Sequence, residues 1–238
     1  MSSFITIGFE NTDEYQSLLE LESLYEKEIL KALKEQYDYI FQDTSSISMI
    51  LENFSSSDNL LSDVLNKAIL AYTLLGAAYG SELISKLIPN FSYEGQKDEL
   101  QSWANNKARE SLQLINKTSK KRLDNALLSY SLGSISLEQL KEQYNAIAVE
   151  DRARLINETE SIIAFNMGTL ILSRAVKFVI AFKWITVGDE KVCMLCKPRH
   201  GVVYPINSVP LPPLHHFCRC RLAVVIDKRR VVNEFLGF

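Results

Sequence analysis

Between Thr12 and Asp43, Leu18, Leu21, Tyr25, Ile29, Leu33, Tyr37 and Ile40 recur every three to four residues, with Glu and Lys between them. That period predicts one long amphipathic helix. The polar clusters "DTSS" (Asp43–Ser46) and "NFSSSDN" (Asn53–Asn59) break the pattern, and Ser57 or Asp58 is placed to cap the next helix. This second helix is apolar on most faces, which predicts a central position, and it stops before Pro89. A loop over Pro89–Gln96 leads to a third helix, Lys97–Thr118, with Leu100, Trp103, Ala104, Ala108, Leu112 and Ile115 on one face. The polar stretch Lys117–Arg122 reads as a joint before a short helix, Leu123–Leu132, that Gly133 ends. Ser136, followed by Glu138 and Gln139, has the signature of a helix start. A last long helix is expected from about 149 to 176.

After that the period changes from helical to strand-like. Phe178–Val187, Gly201–Ile206 and Arg221–Ile226 are short β-branched and aromatic runs. Helices first and strands last argue an α+β fold, with a mainly helical body and a small C-terminal three-strand module. The expected division is a helical domain over 1–148, a module of long helix and β-rich segment over 149–226, and a basic tail over 227–238.

The composition, 47% apolar and 23% charged, is that of a folded chain rather than a disordered one. The net charge of −3 hides an asymmetry. Residues 1–60 carry 12 acidic and 3 basic side chains, whereas residues 171–238 carry 4 acidic and 11 basic ones. A basic end suits contact with phosphates or with an acidic partner surface, or simply offsets the acidic helices. The N-terminus has neither the basic nor the apolar region of a secretory signal. The most apolar helices, Val64–Gly80 and Gly168–Phe182, are interrupted by charge and read as buried rather than membrane-spanning.

The strands bracket the unusual part of the chain. All four cysteines, all three histidines and five of the six prolines fall within Cys193–Cys220 or inside it. The spacing is Cys193-x2-Cys196, then 21 residues, then Cys218-x-Cys220, with His215 three residues before Cys218. A CxxC turn puts two thiolates on one side of the backbone, and a second close pair brought opposite completes the tetrahedron that zinc takes. Cys193, Cys196 and Cys218 are the firmest ligand candidates. The fourth is His215 or Cys220, since Cys-x-Cys is a cramped spacing for two ligands of one ion. His216 and His200 rank below them. A module of this size buries too little surface to stand alone, so a structural zinc would supply folding free energy where the core cannot. Disulfides, a metal-free packed module and a redox dithiol are the other uses of such cysteines. A reduced, intracellular setting is expected from the metal-type spacing. Asp189 and Glu190 precede Cys193, but no second set of convergent acids is visible, so catalysis is not expected. A zinc deaminase needs His-x-Glu well before its cysteine pair, and no histidine precedes His200. Lys197, Arg199, Arg219, Arg221, Lys228, Arg229 and Arg230, with Trp184, Tyr204 and Phe217 for stacking, make the same end a candidate nucleic-acid surface.

The string from Trp184 to Val225 resembles the C-terminal signature of the phage Mu F-like, or SPP1-type, minor head (head morphogenesis) proteins. The shared frame is Asp189, Cys193, Cys196, Gly201, Pro212, Pro213, His215, Cys218, Arg219 and Cys220. The upstream helix also matches, through Ile156, Thr159, Glu160, Ala164, Asn166 and Gly168. Two positions depart: Glu158 stands where the family usually has Arg, and His215–Cys218 reads His-His-Phe-Cys where it commonly has His-Pro-Asn-Cys. The resemblance covers about residues 150–226. It implies a virion component inside the capsid, made in the host cytoplasm. Such a protein binds the phage portal protein, with scaffold, major capsid protein and packaged double-stranded DNA as further candidate partners. It acts in head assembly, DNA packaging or DNA ejection, with no membrane role. The alternative is a zinc-ribbon-like module acting on phage DNA.

Overall fold

The computed structural model describes residues 4–7, 13–57, 59–89, 91–145, 149–187 and 192–236. The chain is mainly helical with a small antiparallel sheet, the fold class its periodicities predict. Helix α1 is Asp13–Ile40. Helix α2 (Ile47–Ser56) lies in a stretch that pattern alone assigns to no element. The clusters that read as breakers are its two caps. Ser46 accepts the Met49 N–H at 3.2 Å, and Ser57 sends its hydroxyl back to the Phe54 carbonyl at 2.7 Å. Ser57 therefore closes α2 instead of opening the next helix; the other candidate cap, Asp58, lies outside the described residues.

Helix α3 is Asn59–Ser85. The stretch Ile47–Ser85 is apolar enough by length and composition to cross a bilayer, a test that buried core helices also pass; α3 buries Leu61, Leu65, Ile69, Tyr72 and Ile84 within the protein, as its pattern predicts. Helix α4 runs unbroken over Lys97–Ser131, which corrects the expected joint at 117–122. The segment holds no Gly or Pro; Lys117, Thr118 and Lys121 face solvent, and Ser119 alone is buried. Ser119 donates to the Ile115 carbonyl at 2.9 Å and also takes a hydrogen bond from the Arg152 guanidinium. A Lys/Arg-rich run with a satisfied serine propagates a helix well. Helix α5 (Leu137–Tyr144) has the capping box expected at Ser136, closed by Gln139. Helix α6 is Val149–Arg174.

The chain forms two compact units, one of Met1–Leu21, Leu70–Ala104 and Glu158–Phe238, the other of Glu22–Ile69 and Asn105–Asn157. They interleave along the chain because α1, α3, α4 and α6 each give residues to both, whereas the sequence suggested consecutive segments split at 148/149. Among its described residues, the regular elements of the second unit are all helices. One of its clusters packs Ile40, Phe41, Ile50, Phe54, Leu123, Leu127, Leu140 and Tyr144. Another packs Ile29, Leu33, Leu61, Leu65 and Ala153.

The first unit carries the sheet. Strands β2 (Val179–Ile185), β3 (Val203–Pro205) and β4 (Arg221–Asp227) are the three C-terminal strands expected, all antiparallel. A fourth strand, β1 (Phe4–Ile7), pairs with β4 from Phe4 opposite Asp227 to Ile7 opposite Val224, giving the order β1-β4-β2-β3. The four residues of β1 lie too far from the other strands in sequence for local pattern to reveal them. Every residue of β4 is buried, as befits a central strand covered on both faces. The expected basic tail begins as helix α7 (Lys228–Leu236), with Asp227 accepting the Arg229 N–H at 3.0 Å.

Helices α3 and α6 cross at two glycines. A Cβ on Gly168 would lie 2.0 Å from the Thr73 carbonyl oxygen, and one on Gly76 would lie 1.9 Å from that of Phe165. Thr169 bonds the Gly76 carbonyl across the same crossing at 2.9 Å. The backbones touch, so α6 is set in depth by the absence of two methyl groups. Gly168→Ala must push backbone rather than side chain and is expected to cost about 1–3 kcal/mol or more. Gly95→Ala, with nothing within 4 Å of its Cβ position, is the control. Urea unfolding measures both, and equal midpoints would remove the close-approach account.

Candidate metal centre

Residues 192–220, which link the end of β2 to β4, contain a 3₁₀ turn at Lys197–Arg199 and the three-residue β3 as their only regular elements. The segment is held by side chains and turns. At the CxxC turn, the Cys196 N–H reaches the Cys193 carbonyl at 3.1 Å and its sulfur at 3.3 Å, and the Lys197 N–H reaches the same carbonyl at 2.9 Å. Both sulfurs therefore face one side. Gly201, at φ +81°, turns the chain back so that its N–H bonds the Trp184 carbonyl at 2.8 Å, while Trp184 N–H bonds Val202 at 2.9 Å. That extends the β2–β3 pairing and brings the second ligand loop round.

The five candidate donors meet there. Cys193, Cys196 and His215 form one group and Cys196, Cys218 and Cys220 a second; donor atoms within each group lie within 4.8 Å of one another, and each group could hold a metal ion. The His215 Nε2 is 2.8 Å from the Cys193 sulfur and 3.4 Å from that of Cys196, and the Cys196 and Cys218 sulfurs are 3.6 Å apart. A tetrahedral ion with bonds of about 2.3 Å to sulfur spaces its ligand atoms about 3.8 Å apart. The last two separations approach that edge. All four cysteines are free thiols.

His215 is set up as a ligand by its neighbour. Its Nδ1 lies 2.7 Å from the His216 carbonyl. A carbonyl only accepts, so Nδ1 carries the proton and the Nε2 lone pair faces the sulfurs, the arrangement found where an outer-shell acceptor orients a metal-binding imidazole. His200 is disposed differently. Its Nδ1 accepts from the Thr186 N–H at 3.2 Å and lies 2.8 Å from the Thr186 hydroxyl. It joins β2 to the turn and stays out of the cluster.

The cluster is electrically uneven. The hydrogen bond from Cys220, then the backbone, pulls the Cys218 thiol down to about 5 against its burial. Burial pushes Cys196 up to about 12. Cys220 is raised well above the thiol range, first by its bond to Cys218 and then by burial, so it is the S–H donor of that pair. Burial opposes ionisation of Cys193, but the backbone N–H of Cys196 and further hydrogen bonds there hold its thiol below the ordinary value. His215 is raised, by the His216 carbonyl first and, against the opposing effect of burial, by the nearby Cys218 and Cys193 sulfurs.

Helix α6 holds this site to the sheet through Asn166, which sequence reasoning placed only as a motif match. The Asn166 side chain, fully surrounded, donates to the Ile162 carbonyl at 2.8 Å and the Cys220 carbonyl at 3.2 Å and accepts the Leu222 N–H at 2.9 Å. A polar residue inside an otherwise apolar helix stretch, "AFNMG", is the signal that marks it. The five donors themselves line a cleft of about 460 Å³, which Glu158, Val187, His216, Phe217 and Arg219 also border.

The candidate nucleic-acid residues scatter. Lys197, Lys228, Arg229 and Arg230 are exposed, and Arg199 and Arg219 half-buried. Arg221 is buried, with its guanidinium 5.5 Å from the Phe165 ring centroid, and Trp184 is fully buried. Neither can reach a nucleic acid, because both lie in the sheet's own core; they leave the expected set. Tyr204 is half-buried and Phe217 exposed. Asp189 and Glu190, the acids nearest the CxxC pair, lie outside the described residues. No protein-family model, no curated protein and no solved structure matches this chain.

Metal binding at this site requires the proton-free forms of its ligands. A raised His215 takes up a proton more readily, so acid competes with the ion from above the ordinary histidine value of about 6.5. Metal retained near pH 8 is expected to be lost progressively as the pH falls through and below the histidine range, with Cys196→Ser, the residue shared by both groups, more damaging than Cys220→Ser. Metal content after equilibrium dialysis across that range reads this out, and pH-independent retention would contradict it.

Proposed function

We propose that this protein is a minor head protein of a tailed phage or prophage, in which a structural zinc staples the C-terminal module for protein–protein contacts inside the capsid near the portal. The observation that carries the reading is that the residues of the resemblance do one mechanical job together. Cys193, Cys196, His215, Cys218 and Cys220 converge. Asn166 ties the backbone at Cys220 and Leu222 to α6, and Gly168 seats α6 on α3. A set of thiolates and imidazole suits zinc among the common divalent ions. Cys193, Cys196, His215 and Cys218 are the proposed ligands, with Cys220 donating its S–H to the Cys218 sulfur. Such a set fills four positions with protein atoms, which supports architecture over catalysis.

A DNA contact remains compatible with this reading. Lys228, Arg229 and Arg230 occupy the first turn of α7, where cations oppose the helix dipole. Asp227 offsets part of that cost, with its carboxylate 3.6 and 3.8 Å from the two guanidiniums. Three exposed cations placed against the local field suit phosphate contact.

One sedimentation series tests the proposal. The full chain, mixed with the portal protein of the phage or prophage that encodes it, is expected to co-sediment with portal rings at physiological salt. Lys228→Gln/Arg229→Gln/Arg230→Gln should leave that unchanged and lower only salt-sensitive retention on double-stranded DNA. A protein that never associates with portal or procapsid contradicts the head-protein reading.

A further inference from the structure

The two residues between the first pair of sulfurs are among the most exposed large apolar side chains described: Met194 is 91% and Leu195 58% exposed. The turn imposes this. With Cys193 and Cys196 both facing the cluster, the intervening side chains face out. Holding a metal makes no demand on what those side chains are, and polar residues would serve the turn as well. Large apolar groups in water carry a cost that contact with a partner removes.

A cation is built in beside them. The Arg199 guanidinium folds back and donates through Nη1 to the Leu195 carbonyl. This places positive charge at the tip of the turn and ties the tip to the 3₁₀ turn that follows. Lys197, exposed, adds a second charge on the same short segment. Phe217, 48% exposed, sits on the loop that brings in the other ligands. An apolar pair held rigid next to a fixed guanidinium is the make-up of an interface anchor, because little side-chain and loop freedom is lost when it is covered.

We infer that the metal knuckle is a docking point, at which Met194 and Leu195 seat against apolar side chains of a partner protein and Arg199 with Lys197 pairs a carboxylate beside them. The occupant is an acidic segment with aliphatic or aromatic side chains. The local charge selects it, since Lys197 and Arg199 are the only Asp, Glu, Lys or Arg side chains among residues 192–218. The metal acts at this surface by fixing the turn and makes no contact with the partner. The inference takes its probe, the portal protein, from the head-protein reading.

The experiment measures portal affinity of the full chain, of Met194→Ser/Leu195→Ser and of Arg199→Gln, with metal content and melting temperature recorded for each. The expected result is at least a tenfold loss of affinity for the double variant, a smaller loss for Arg199→Gln that shrinks at high salt, and unchanged metal content in both. If the natural chain binds portal and both variants bind equally well, the docking point is wrong and the head-protein reading stands. If the natural chain does not bind portal at all, that reading fails and takes this occupant with it. Should the double variant lose metal, Arg199→Gln, which changes no proposed ligand, decides the matter alone: unchanged affinity overturns the inference.

Discussion

Sulfur and imidazole donors converge on one point at the mouth of a segment that owns almost no hydrogen-bonded ladder. Among the described residues between β2 and β4, regular backbone pairing is confined to the short β3 ladder and its extension at Gly201 and Val202. Its apolar side chains do not supply a core either, since Met194, Leu195, Val202, Val203, Leu214 and Phe217 all face solvent. What is buried there is mostly cysteine. A metal ion held by these donors would supply the bonds such a segment lacks; structural zinc contributes on the order of 10 kcal/mol in zinc-finger peptides.

The rest of the first unit holds that point in place. Two missing methyl groups let α6 lie directly on the backbone of α3. From that depth Asn166 reaches both sides of the β4 start, satisfying one carbonyl and one N–H that flank Arg221. Removing the amide would leave buried backbone groups unpaired, at about 1–3 kcal/mol. The helix, the central strand and the ligand loop thus share one side chain. Arg221 belongs to the same core, as its burial over Phe165 shows. This is why a residue that looks like part of a basic surface stripe in the sequence is structural.

Local pattern read the helices and the three late strands well because their signals are local: period, cap and β-branched run. It failed where the deciding partner is distant. The joint expected at 117–122 is helical because Ser119 is met by Arg152, 33 residues away. β1 exists because β4 offers it an edge more than 200 residues later. Helix α2 is short, and its caps looked like breakers because Ser is both. At the candidate site the gathering of the four cysteines and His215 was legible from their crowding in one short window, whereas the spacing left the choice between His215 and Cys220 open. The orientation of His215 and the donor role of Cys220 were not legible, since both depend on which neighbouring atom accepts a proton.

The central claim is that one zinc ion with three sulfurs and one nitrogen around it organises the C-terminal module. X-ray absorption at the zinc edge, on protein purified without chelator, tests it most directly. The account predicts a four-coordinate ion with three sulfur neighbours at about 2.3 Å and one imidazole nitrogen at about 2.0–2.1 Å. A four-sulfur shell would replace His215 by Cys220, and a protein that stays fully folded with no bound metal would contradict the account outright.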